Sequence, residues 1–222
     1  MNPRPLAVVR LGSNVDYDEA LQLQERIREE RKSDQRPDTL ILLEHAPVIT
    51  LGRGSKPENV LATRAELERR GIGLHEIGRG GDVTYHGPGQ LVGYPIIDLK
   101  PDRCDVRRYV TDLEETMIRV AREYGVTGSR IEGVRGVFVG NDKLGAVGVR
   151  ISQWITLHGF ALNVSTDLDG FRLIVPCGLH DHGVTSLSRE TSQSVEVSDV
   201  TELTVRVFCE VFDRRAEASP NS

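Results

Sequence analysis

A chain of 222 residues with net charge -5 and only 5% aromatic residues can bury a full domain core, but it is poorly suited to nucleic acid, which needs clustered Lys and Arg with stacking platforms. Its three cysteines are too few for a disulfide framework, and an odd number suits a reducing compartment. The N-terminal apolar run is too short for a signal peptide and no stretch approaches the roughly 18 or more apolar residues of a membrane span, so a cytoplasmic protein without membrane or nucleic-acid partners is expected.

In chain order, 6–9 reads as a short strand. Residues 16–32 then take helical spacing, with Ala20, Leu23 and Ile27 on one stripe and Asp16 placed to cap. Strands follow at 39–44 and 48–51, with a Gly- and Pro-rich loop at 52–59. Thr63 and Glu66 form a capping box for a short helix that ends at Gly71, and 72–77 returns as strand. Residues 78–89 are too glycine-dense for a regular element, and 91–99 is strand-like. A second long helix spans 106–124 on a stripe of Val110, Leu113, Met117, Val120 and Tyr124. Strands near 136–139, 143–151 and 154–164 precede Leu173-Ile-Val, a short strand closed by Pro176. A last helix covers 198–212. The expected architecture is one α/β domain over residues 1–213, a mixed and mostly antiparallel sheet flanked by helices, with 214–222 as a flexible tail lacking apolar residues.

Cys177, followed by Gly178, sits at the end of that last strand, where a thiol can be reactive or a small inert hydrophobe. The glycines of 79–89 let backbone approach a ligand or simply make tight turns. Phosphate signatures fail: Gly71-x-Gly73 has Glu76 in place of a third glycine, and Gly140-x-x-x-x-Gly145 is followed by Ala146 and not lysine. His86 and His158 can be structural or can orient a substrate, whereas His45 and His75 offer only local hydrogen bonds. Cys177 with His180 and His182 is a partial zinc set without a second ligand cluster, so no metal site is assigned. Lys143 opens the small-residue strand Leu144-Gly-Ala-Val-Gly-Val149. It is either solvated or, facing Cys177, a cation that favours thiolate and a base for it.

Together these motifs resemble the lipoyl(octanoyl) transferase family. The markers are Leu43-Glu-His-Ala-Pro-Val-Ile-Thr-Leu-Gly-Arg53, Arg79-Gly-Gly-Asp-Val-Thr-Tyr-His86 continuing to Pro95, Asp142-Lys-Leu-Gly-Ala-Val-Gly148, Leu157-His-Gly-Phe-Ala-Leu-Asn163, Pro176-Cys-Gly-Leu179 and Val184-Thr-Ser-Leu187. The resemblance implies a fold shared with lipoate and biotin protein ligases and an acyl-enzyme route. Cys177 matches the nucleophile that takes octanoyl from octanoyl-acyl carrier protein, and Lys143 the residue that lowers its pKa and then acts as acid and base. Arg79, Gly80, Gly81, Asp82, Val83, Thr84, Tyr85 and His86, with Ala146, Val147, Gly148, Gly159, Phe160 and Ala161, match the acyl-binding segments. The implied acceptors are lysines on lipoyl domains of 2-oxoacid dehydrogenases and on the glycine-cleavage H protein. No cofactor is implied. Ile49 departs from the family, which often has an aromatic residue there. The alternatives are an ATP-dependent lipoate or octanoate ligase on the same fold, and a non-catalytic acyl-binding module or zinc-bound structural domain.

Overall fold

A computed structural model of the chain describes residues 3–175 and 182–217. Cys177 and the rest of 176–181 lie outside the described residues.

Alternating and continuous apolar runs build one large sheet with strands β1 (Arg4–Val15), β2 (Asp38–His45), β6 (Gln90–Ile96), β7 (Ser129–Ile131), β8 (Val134–Val139), β9 (Asp142–Ser152), β10 (Ile155–Asn163) and β11 (Arg214–Glu217). Their order across the sheet is β11-β1-β2-β6-β10-β9-β8-β7; β11-β1-β2 run parallel and the remaining pairs antiparallel. A small second sheet, β4-β3-β5, is made by Gly73–Glu76, Val48–Leu51 and Val83–His86.

The large sheet is covered on both faces, so β2, β6 and β10 are buried almost throughout. On one face lie α3 (Val106–Glu123) and α5 (Val197–Phe212), packed on Leu42, Leu91, Leu144, Phe160 and Leu162. The expected α3 stripe points there, with Leu113, Met117 and Val120 fully buried. On the other face α1 (Tyr17–Lys32) sets Ala20 and Ile27 against Ile41, Val92, Leu157 and Ala161. Its Asp16 caps as the sequence implies, accepting from the amides of Asp18 and Glu19. Thr63 likewise caps α2 (Arg64–Arg69) by accepting from the Glu66 amide.

Three expectations need correction. Leu173-Ile-Val is not a strand: Leu168–Leu173 is a 3-10 helix, and Ile174 makes a single bridge to Val60. The glycine-dense 78–89 stretch is not wholly irregular, because Val83–His86 forms β5 against β3. The first residues of the expected tail are β11. Polar side chains suffice there, because an edge strand needs a partner backbone more than a hydrophobic face; Arg4 to Ala7 of β1 supply it.

Candidate active site

The site begins with what β9 and β10 lack. Gly148 pairs with Gly159 and Ala146 with Ala161, so their shared face toward α1 carries almost no side-chain volume. Phe160 and Leu162, with the opposite parity, fill the α3–α5 core instead.

A strap spanning 79–84 crosses this bare patch. Gly80 N–H donates to Val149 O at 2.9 Å, which ties the strap to β9. Its other edge is held by Arg53 and Gly54, whose amides donate to the carbonyls of Arg79 and Gly81. A Cβ on Gly52 would meet Gly81 O at 2.4 Å, so the close approach requires glycine there. The buried Arg79 guanidinium reaches back under the strap to Thr50 O (2.8 Å) and Thr50 Oγ1 (3.0 Å). Asp82 accepts from Asn59 Nδ2 at 2.6 Å and from the Val83 amide at 2.7 Å.

Between strap and sheet lies a cleft enclosing about 730 Å³ of atom-free space, its open mouth included. Of the residues expected from sequence, Arg79, Gly81, Asp82, Val83, Thr84, His86, Lys143, Ala146, Val147, Gly148, Gly159, Phe160 and Ala161 line it. Tyr85 and Gly80 do not. The Tyr85 side chain packs instead with Ile49 and Leu67 in a separate cluster, edge-on to Phe171. Gly80 contributes its backbone to β9.

Lys143 is buried, at 6% exposure, where β9 starts, with its ammonium 5.3 Å from the Phe138 ring centre. The solvated alternative therefore does not hold. The returning chain runs parallel beside it: Lys143 N–H donates to Gly183 O (2.9 Å), and Thr185 N–H donates to Lys143 O (3.0 Å). The chain leaves at Val175 and returns at His182. Both line an adjoining depression with Asp142, Phe171 and Gly183, and the returning end, through Gly183, lies beside Lys143.

Sequence reasoning missed Tyr17, Gln90, Tyr94, Asn163, Phe171 and Val184 as cleft residues. Gln90 and Asn163 stood inside the family markers, but nothing there assigned either one to the cleft. His45 does more than bond locally: its Nδ1–H donates to Val15 O (3.0 Å), and its Nε2 accepts from Tyr94 Oη (2.7 Å) across 49 residues. Burial pushes the pKa of His45 down to about 4. His86 is pushed to about 3, by burial first and then by repulsion from His45. His158 falls to about 4 through burial and the charges of Arg79 and Arg150. At neutral pH the two imidazoles that line the cleft, His86 and His158, are thus uncharged and its floor is the small side chains of β9 and β10, with Arg79, Asp82 and Lys143 as its charged lining residues. Such a space suits a neutral, extended apolar chain with a reacting group at the lysine.

Residues 16–209 match the lipoyl protein ligase A/B catalytic domain. An octanoyltransferase of Chloroflexus aggregans is 49% identical over 96% of this chain and 97% of its own length. One of Myxococcus xanthus is 47% identical over 97% of this chain, which spans 62% of that longer protein. In fold, a bipartite lipoate protein ligase of Thermoplasma acidophilum, described with its E2 lipoyl domain, superposes with TM-score 0.77 at 18% identity, over 98% of this chain and 87% of that one. Biotin protein ligase of Aquifex aeolicus reaches 0.52 at 13% identity, over 93% and 68%. The chain belongs to the lipoyl protein ligase A/B catalytic-domain family. Within that family it stands with the octanoyltransferases, as an acyl-transferring enzyme.

Proposed function

We propose that this enzyme takes an octanoyl group from octanoyl-acyl carrier protein onto Cys177 as a thioester. It then passes the group to a lysine of a lipoyl domain, on a 2-oxoacid dehydrogenase or the glycine-cleavage H protein. The observation that carries the reading is the buried Lys143 in a cleft floored by Ala146, Gly148, Gly159 and Ala161, with the chain that returns from the Cys177 segment bonded to its backbone.

The steps balance without a nucleotide. The thiolate adds to the donor thioester carbonyl, and the carrier's thiol leaves with a proton from Lys143. The acceptor amine, ordinarily protonated with a pKa near 10.4, first loses one proton to solvent; as the neutral amine attacks the enzyme thioester, Lys143 takes the second proton and Cys177 leaves as thiolate. Burying about seven methyl and methylene groups of the chain would contribute roughly 5–6 kcal/mol, at ~0.8 kcal/mol each.

Intact-mass measurement after mixing with octanoyl-acyl carrier protein tests this. The expected result is one octanoyl adduct, labile to hydroxylamine and lost in Cys177→Ser. An adduct on Cys104 or Cys209 would overturn it. Lys143→Ala should slow both half-reactions at least about 100-fold, the lower range for a positioned acid–base group, without unfolding the chain. Modification of a lipoyl domain by octanoate and ATP alone would favour the ligase alternative instead.

A further inference from the structure

One buried polar chain runs from the cleft wall to the strand segment that clasps Lys143. Gln90 and Asn163 are direct cross-strand neighbours at adjoining ends of β6 and β10. Asn163 Nδ2 donates to Thr185 O at 3.0 Å, which leaves Asn163 Oδ1 to accept from Gln90 Nε2 at 2.9 Å. Gln90 Nε2 also donates to Tyr85 O at 3.2 Å, so Gln90 Oε1 is the acceptor for His86 Nδ1–H at 2.7 Å. The two backbone carbonyls thereby fix both amide orientations and the histidine tautomer, since flipping either amide would set a donor against a donor or an acceptor against an acceptor. Asn163, Gln90, Thr185 and His86 are all buried.

Thr185 is the point of transmission. Its amide donates to Lys143 O, and the next bond of the same ladder joins Lys143 N–H to Gly183 O. We propose that Asn163, oriented by Gln90, is a positioning residue of the transferase: it holds the 183–185 segment against β9 and so places the Lys143 backbone for acid–base work. The inference rests on the acid–base assignment of Lys143. Without the Asn163 donor, Thr185 O is left buried and unsatisfied, and the segment relaxes toward other partners. Proton transfer at Lys143 suffers because it needs hydrogen-bond reach and alignment. The cleft floor at Ala146, Gly148, Gly159 and Ala161 stays as it is, so chain binding is spared.

The test uses the full chain with octanoyl-acyl carrier protein and a lipoyl domain, comparing Asn163→Ala, Asn163→Asp, Lys143→Ala and the Asn163→Ala/Lys143→Ala double variant. Asn163→Ala should lower kcat roughly tenfold or more, the consequence of one buried group losing its partner. KM for the acyl donor should change little, and the pH midpoint for alkylation of the reactive thiol should move. The double variant should be no slower than Lys143→Ala alone, because Asn163 acts through the lysine. Asn163→Asp is nearly isosteric and provides the answer if the alanine variant does not fold. Protonated, its carboxyl can donate to Thr185 O; ionised, it cannot. Its activity relative to wild type should therefore rise as pH is lowered. Full additivity in the double variant, or Asn163→Ala and Asn163→Asp rates and pH profiles equal to wild type, would overturn the positioning role. Wild-type rates in Lys143→Ala would instead reject the acid–base assignment beneath it.

Discussion

At Ala146 a methyl group half exposed in the cleft faces Ala161 across the β9–β10 pair, and nothing larger stands on that face until Lys143. Replacing Ala146 by leucine adds three carbons in the path assigned to the acyl chain, while the sheet behind it is unchanged. At ~0.8 kcal/mol per methylene displaced, losing about three chain groups from the cleft weakens octanoyl binding by roughly 2.4 kcal/mol, or about 60-fold. Ala146→Leu should therefore raise KM for an octanoyl donor while leaving a butanoyl donor nearly unaffected. Equal loss for both chain lengths would show that Ala146 does not border the chain. Gly148 is a harsher site: a Cβ there would lie 2.9 Å from Arg79 Cδ, so any side chain must displace the arginine that supports the strap.

The elements divide into those that hold the fold and those that hold the site, and β11 belongs to the first. Arg214 Nε donates to Asp38 Oδ2 at 2.9 Å with both side chains at 1% exposure, while Arg31 reaches the other oxygen at 2.9 Å. Arg214→Ala removes one partner of a buried pair but leaves Arg31 and, 3.3 Å from the oxygen that Arg214 bonds, Arg4, so the cost should fall near the low end of such losses, about 3 kcal/mol in urea unfolding. Octanoyl transfer should persist below the transition, because Asp38 lies at the far end of the sheet: β2 is separated from β9 by β6 and β10, and Asp38 sits near Asp98, which bridges to Ile155 at the end of β10 opposite Asn163. An unchanged urea midpoint would show that Arg31, Arg4 and the Asp98 amide satisfy Asp38 without Arg214. This strand also shows where sequence reading ran out. Helices α1, α3 and α5 were legible because their apolar stripes and caps are local, and so were the small residues of β9 and β10. Arg-Arg-Ala-Glu carries no periodic signal; only β1 and Asp38, 176 residues away from Arg214, make it a strand. Gln90 and Asn163 escaped for the same reason, since their meaning lies in a register that only the folded sheet defines.

For the molecule as a whole, three buried imidazoles set the acid limit of stability. His45, His86 and His158 titrate at about 4, about 3 and about 4 in the native state, against an ordinary value near 6.5. Because the native values are depressed, the unfolded chain binds protons that the folded chain refuses. The stabilisation is complete above pH 6.5 and is lost progressively as pH falls toward the native values. Each histidine then contributes up to about 1.4 kcal/mol of destabilisation per pH unit. The urea midpoint should be nearly flat from pH 8 to 7 and fall between 6.5 and 5, above the range where most carboxylates titrate. His158→Leu is the sharpest check, because that ring makes an edge contact with Tyr94 and leaves the His45 and His86 hydrogen bonds intact. The variant should lose up to one proton's worth of that slope near pH 5, whatever its stability at pH 8. An unaltered slope would mean that His158 takes up its proton in the folded state, and that the cleft wall tolerates a charge where an apolar chain is meant to lie.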